Sequence, residues 1–309
     1  MASNNKKRSQ TIKAQPVMEW QTLLLALFSY SLWIVILLLF AQLPALVFMS
    51  VLCLQMVLFS SLSHEVIHGH PFKATWLNDA LVSLPLTLYP YYEYKQSHLT
   101  HHIDENLTIP NADPESFFVT PEKWANSGAF RKMLKWIDMT LLGRFLFGPA
   151  SHILHLAKKM LTQLMAKNNR LRLQWLSYLL GVAVVLWIVN LAGISLWLYA
   201  ICAYFALSII GVRSFYEHRP MPKASNRIVV VRSCAPFHIL FLYNNLHAVH
   251  HKHPTMPWYH LFAEYQRGER AYLENNGGFY FAGYRHWLKY LIKPVAHPVH
   301  PGFSNIERT

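Results

Sequence analysis

The sequence predicts an all-α integral membrane protein, with four transmembrane helices in two hairpins and a helical cytoplasmic cap that carries clustered histidines. Three observations predict it. Only 14% of the 309 residues are charged while 53% are hydrophobic, where a soluble domain carries about a quarter charged residues. No Lys, Arg, Asp or Glu occurs from Trp20 to Ser63 or from Leu173 to Val212, stretches too long for ordinary core helices. All 28 Lys and Arg lie in the regions flanking these two blocks.

Each block holds two spans. The first breaks at Gln42-Leu43-Pro44, which gives spans over 20–40 and 44–63. The second breaks at Ala192-Gly193, which gives spans over 173–191 and 194–212. Pro and Gly end helices, and about 1.5 Å of rise per residue lets each span cross roughly 30 Å of hydrocarbon. With two hairpins, the N-terminus, the 64–172 region and the 213–309 region share one side, together with every Lys, Arg and His. The positive-inside rule makes that side cytoplasmic and makes the protein multi-pass with both termini inside. The organisation expected is a tail over 1–19, a membrane domain over 20–260 and a cytoplasmic C-terminal segment over 261–309. The tail is polar and basic, and the apolar segment after it is too long for a signal-peptide core.

Between the blocks, Trp76–Tyr92 is apolar but short and contains Asp79, Pro85 and Pro90. It is expected to be interfacial or re-entrant. From Gly128 to Arg172 cationic and apolar residues alternate, as amphipathic helices on a membrane surface require. The net charge of +13 suits anionic headgroups or an acidic partner protein; no nucleic-acid motif accompanies it. The three cysteines, Cys53, Cys202 and Cys234, show no C-x-x-C spacing, which argues against a disulfide framework or a thiolate metal site.

Three histidine clusters carry the chemistry: His64-Glu-Val-Ile-His68-Gly-His70, His98-Leu-Thr-His101-His102 and His247-Ala-Val-His250-His251. On a helix the i, i+3 and i+4 spacings bring the histidines of each cluster to one face, with His70 off the shared face. Eight neutral imidazoles suit iron, zinc or copper rather than the oxygen-seeking magnesium or calcium. His152 and His155 read as a surface pair. His64-Glu65-x-x-His68 alone also has the spacing of a zinc metalloprotease, with Glu65 as general base, but that reading leaves six clustered histidines without a role. A non-catalytic metal-binding membrane protein is the third possibility.

The layout His-x3-His, His-x-x-His-His and His-x-x-His-His, with paired spans between the second and third boxes, resembles the membrane fatty acid desaturase and hydroxylase superfamily over about residues 20 to 260. The resemblance implies two iron ions, O2 as co-substrate and two electrons from an external donor. It implies iron ligation by His64, His68, His98, His101, His102, His247, His250 and His251, and by His218, just after the fourth span. Glu217 beside it is a weaker candidate, for direct ligation or for orienting the ring. Asn244 and Asn245 are candidates for a water-bridged contact, and His70 for a supporting role. The acidic stretch Asp104–Ser116 can hold the imidazoles in one tautomer, or serve as a capped turn.

The implied activity is oxidation of a lipid or acyl chain, with fatty acyl desaturation as the first reading and hydroxylation as the alternative. Glu217-His218-Arg219 and the Asn-Asn-Leu-His form of the third box are also similar to carotenoid ketolases and hydroxylases. His300-Pro301-Gly302-Phe303 resembles the haem-binding His-Pro-Gly-Gly of fused cytochrome domains, but too few residues follow it for such a domain. The expected electron donor is therefore a separate ferredoxin or small cytochrome, docking on the basic face.

Overall fold

The computed structural model describes residues 18–303, so most of the expected N-terminal tail lies outside the described residues. The chain is mostly helical. Four helices are long and apolar enough to cross a membrane: α1 (Trp20–Leu38), α2 (Ala45–Ile67), and, after a long intervening region, α8 (Asn169–Leu191) and α9 (Leu196–Arg213). The intervening region forms α3 (Thr75–Leu81), α4 (Tyr91–His101), α5 (Pro121–Ala125), α6 (Ala129–Asp138) and α7 (Leu141–Met165). The last third forms α10 (Ala235–Leu240), α11 (His247–Lys252) and α12 (Trp258–Asn275), with short strands β1 (Val230–Val231) and β2 (Tyr280–Phe281) pairing in parallel.

The breaks fall where Pro44 and Gly193 stand, but the helix ends move. α2 runs four residues beyond Ser63, because an apolar-to-polar change does not stop a helix and no breaker precedes Gly69. Its last turn thereby carries His64 into the protein, and Gly69, at φ +101°, then reverses the chain. α8 starts before Leu173 because the Asn168 side chain caps it, accepting from Arg170 N and Leu171 N at 3.1 and 3.2 Å.

Large apolar residues such as Leu24, Leu46, Leu180 and Trp197 face outward along these four helices, as lipid-facing surfaces do. Inside, α1 packs on α2 and α2 on α9. Trp33 Nε1 donates to Tyr199 OH at 3.1 Å, Gln55 Nε2 to Ser29 O at 3.1 Å and Cys53 Sγ to Cys202 O at 3.3 Å. Such interhelical bonds matter where no water competes.

The non-helical segment 82–90, between α3 and α4, is tucked among the four helices, with Val82 and Leu86 fully buried. Three tyrosines from three different helices satisfy the carbonyls of its entry and interior. Tyr30 donates to Leu81 O at 2.7 Å, Tyr199 to Leu86 O at 2.7 Å and Tyr178 to Leu88 O at 2.9 Å. Buried irregular backbone requires such partners for its carbonyls. At Gly181 a Cβ would come within 2.8 Å of Pro85 Cδ, so only glycine lets α8 approach the segment this closely.

α6 is amphipathic, as expected, with Phe130, Met133 and Leu134 exposed. α7 differs from a helix merely resting on a surface. It packs along α9 and α8 and is tied to α4 by the Lys159–Glu93 ion pair.

Candidate metal centre

Each histidine box is placed by a different local device. Box one is the end of α2, with His64 in the last turn and His68 as its C-cap. Box two ends α4, with His98 and His101 in the last turn and His102 as the cap. Box three opens α11 after a sharp turn at Leu242 and Tyr243, both at positive φ. Asn245 pins that turn to β1, donating to Val231 O at 2.7 Å and sitting 3.1 Å from His238 Nδ1. Asn245 thus holds backbone rather than meeting the boxes, unlike the water-bridged role expected for it. His218 lies in an extended pairing, with Val229 N donating to Glu217 O and Arg219 N to Arg227 O, and Ala248 N ties box three to Val229 O.

Together these devices assemble two buried groups of histidines: His64, His68, His98 and His250, and His101, His218, His247 and His251. Within each group the ligand nitrogens all lie within 4.8 Å of one another. His102 is partly buried and joins the first group at its edge, with Nε2 3.0 Å from His98 Nε2 and 3.1 Å from His250 Nε2. Boxes two and three therefore each divide their histidines between the groups, although the spacing put each box on one face.

Several of the nitrogens facing inward are fixed as lone-pair donors by what the other ring nitrogen bonds. His98 Nδ1 donates to Glu115 at 3.1 Å, His101 Nδ1 to Asp113 at 2.9 Å, His247 Nδ1 to Asn244 Oδ1 at 2.9 Å and His251 Nδ1 to Asp104 at 3.2 Å. Those oxygens only accept, so each neutral ring turns a bare Nε2 inward. Yet His98 Nε2 faces His68 Nε2 at 3.1 Å, and His247 Nε2 faces His218 Nε2 at 3.1 Å. His251 Nε2 is buried with no hydrogen-bond partner. His68 and His218 can each present a proton or a lone pair at the facing Nε2, and in the lone-pair tautomer both nitrogens of each pair point at one spot that a cation would fill. Metal–nitrogen bonds of about 2.1 Å at right angles on one ion would separate the nitrogens by roughly 3.0 Å. The residues fit a metal.

Burial and neighbouring imidazoles hold His68, His102, His218, His247, His250 and His251 below the usual histidine range, so they stay neutral and able to ligate. His101 is the exception. Burial opposes its protonation, but the Glu115 and Asp113 carboxylates outweigh burial and raise it to about 9. The negative field that favours a proton there equally favours a metal cation. Burial pushes Glu217 up to about 7 against the pull of Arg213, whose Nη1 lies 2.8 Å from its Oε1.

The remaining candidates fall around the groups. Glu217 Oε1 is 3.7 Å from His247 Nδ1, beside the ring. Asn244 touches both groups, with Nδ2 3.2 Å from His64 Nε2. His70 is turned away, its Nδ1 2.8 Å from Glu19 and its Nε2 3.7 Å from Glu65. Glu65 accepts the Trp258 N–H at 2.9 Å, which links box one to α12. His152 is exposed but not isolated: its ring stacks on Tyr89 and its Nε2 lies 2.5 Å from Tyr89 OH. Spacing could not reveal Tyr94, whose hydroxyl lies 3.0 Å from His64 Nδ1. The acidic stretch 104–116 did signal its carboxylates, and Asp113 serves both roles, bonding His101 and capping its own turn through Thr108 N and Glu115 N.

Four membrane-length helices and two buried histidine groups able to hold metal are the features of a membrane protein with a candidate metal centre. The fatty acid desaturase family model matches residues 39–284, and the chain belongs to that family, the membrane fatty acid desaturase/hydroxylase superfamily. No curated protein matches the chain. The family makes it a membrane oxidoreductase acting on lipid, and the protease reading of His64-Glu65-x-x-His68 gives way to that assignment.

Proposed function

We propose that the protein uses two irons, O2 and two electrons to desaturate a fatty acyl chain at the membrane. The observation that carries this reading is the pair of buried four-histidine groups, with the ligand nitrogens of each within 4.8 Å of one another. His64, His68, His98, His102 and His250 would hold one iron, and His101, His218, His247 and His251 the other. When bound, the irons supply the oxidising power that removes hydrogen from an unactivated C–H bond.

The chain's own residues do the rest. Glu115, Asp113, Asp104 and Asn244 fix ring orientation and tautomer. Burial of eight of the nine histidines excludes bulk water. The arrangement proposed is two hairpins, α1–α2 and α8–α9, with boxes and termini on the cytoplasmic side, where all Lys and Arg would gather. A ferredoxin or small cytochrome would dock on that basic face. Hydroxylation or ketolation of a lipid or carotenoid is the alternative reading, supported by Glu217-His218-Arg219 beside the second group.

Lipid profiling of a host expressing the chain, against a His101→Ala control, tests the proposal. A new double bond that depends on His101 is expected. A hydroxylated or ketolated product would select the alternative, and identical profiles would count against oxidation of the host's lipids.

A further inference from the structure

The segment 297–303 returns from the far end of the chain to the loop that follows box two. Val119 N donates to Pro298 O at 3.0 Å and His300 N to Val119 O at 3.1 Å, a short parallel bridge centred on Val119 and Val299. This backbone pairing seats the His300 ring in the interior, edge-on to Phe118 and only 5% exposed. His300 Nδ1 accepts the Gly302 N–H at 3.0 Å. In the neutral ring the proton is then on Nε2, which donates to Thr108 Oγ1 at 3.0 Å.

Thr108 occupies a backbone conformation that its side chain disfavours. Its φ is +68°, and a β-branched residue holds such a conformation only where its surroundings over-determine it. Three bonds do so here: the one from His300, that of Thr108 N to Asp113 Oδ2 at 2.9 Å, and that of Ser116 Oγ to Thr108 O at 2.7 Å. Asp113 is the carboxylate that receives His101 Nδ1. A contact between residues 192 positions apart is thereby connected to a candidate ligand in three steps.

We infer that His300 is a positioning residue for the second histidine group, holding Thr108 in its strained turn so that Asp113 fixes the ring of His101. The inference rests on the reading that the two groups hold metal. His300→Ala leaves the Val119–Val299 backbone bridge in place but frees Thr108 to relax and carry Asp113 with it. Glycine tolerates positive φ without strain, so Thr108→Gly in the same chain removes the reason to relax.

The test is anaerobic ferrous iron titration of the purified full chain against a chelator. Wild type should take two ions. His300→Ala should weaken one of them about 10–100-fold, the usual effect of losing an outer partner of a metal-bound histidine, and leave the other unchanged. His300→Ala/Thr108→Gly should recover most of the loss, which a purely structural role for His300 would not allow. Unchanged affinities in His300→Ala, or no recovery in the double variant, would overturn the assignment. If His300→Ala does not fold, the double variant is compared directly with wild type, and failure there overturns it as well. Amide hydrogen exchange at Thr108 and Glu115 in metal-free chains reads the coupling without any ion, with faster exchange in His300→Ala and wild-type rates in the double variant. Fewer than two ions in wild type would sink the di-iron reading, while the exchange rates would still decide the role of His300.

Discussion

Asn244 lies 3.2 Å from His64 through its Nδ2, and its Oδ1 accepts from His247. One amide therefore connects the two histidine groups. Removing it frees the His247 tautomer. Asn244→Ala should weaken binding by about 10–100-fold at the group containing His247 and leave the group containing His64 no weaker. Competition against a chromogenic chelator measures it.

His101 makes the metal-free protein sensitive to pH. Its value in the folded chain, about 9, lies above the ordinary 6.5, because Glu115 and Asp113 overcome the effect of burial. The stabilisation from its protonated form is therefore complete below about pH 6.5 and is lost as pH rises through about 9. Thermal melting of the metal-free chain should fall over that window, and Asp113→Asn should flatten the fall. An incoming ion must displace the same proton, so affinity at the second group should rise by about tenfold per pH unit up to about 9.

Tyr199 donates to Leu86 O while accepting from Trp33 Nε1. Tyr199→Phe strands a buried carbonyl and a buried indole N–H at once. A loss of about 1–3 kcal/mol is expected, visible as a lower melting temperature in detergent micelles. An unchanged melt would mean that the Tyr199 bonds add nothing to what Tyr30, Tyr178 and packing already supply to segment 82–90.

Arg213 and Glu217 form a buried pair at 2.8 Å, each side chain about a tenth exposed. Arg213→Met leaves the carboxylate buried without its partner and should cost about 3–5 kcal/mol. Arg213→Met/Glu217→Gln should recover more than half of that, because no orphaned charge remains. Denaturation of the two variants side by side checks the coupling.

Much of this was legible in the sequence, for reasons that differ from part to part. The four long helices could be read because lipid forbids charge along some twenty residues at a time. The boxes could be read because ligands on a helix recur at i+3 and i+4. Their division between two groups could not, because whether His98 and His101 face the same ion depends on how α4 sits against α2 and α11. The acidic stretch announced Asp104, Asp113 and Glu115 by lying just after box two. Tyr94 and Glu19 carried no comparable signal, since a tyrosine before one box and a glutamate before the first long helix look ordinary until folding brings them to His64 and His70. Asn245 misled in the opposite direction, resembling its neighbour Asn244 in sequence but turning to β1 in space.

The division of boxes two and three has a consequence for biogenesis. A nascent chain that has made α1 through α9 possesses His64, His68 and His98 of one group but only His101 of the other. The first lacks His250, and the second still awaits His218, His247 and His251. Neither cage closes until the last third of the chain has emerged and folded back. Metal capture by the proposed centre would thus act as a completeness check: a prematurely terminated chain should stay metal-poor and redox-silent, and should not become a half-built oxidant loose in the membrane.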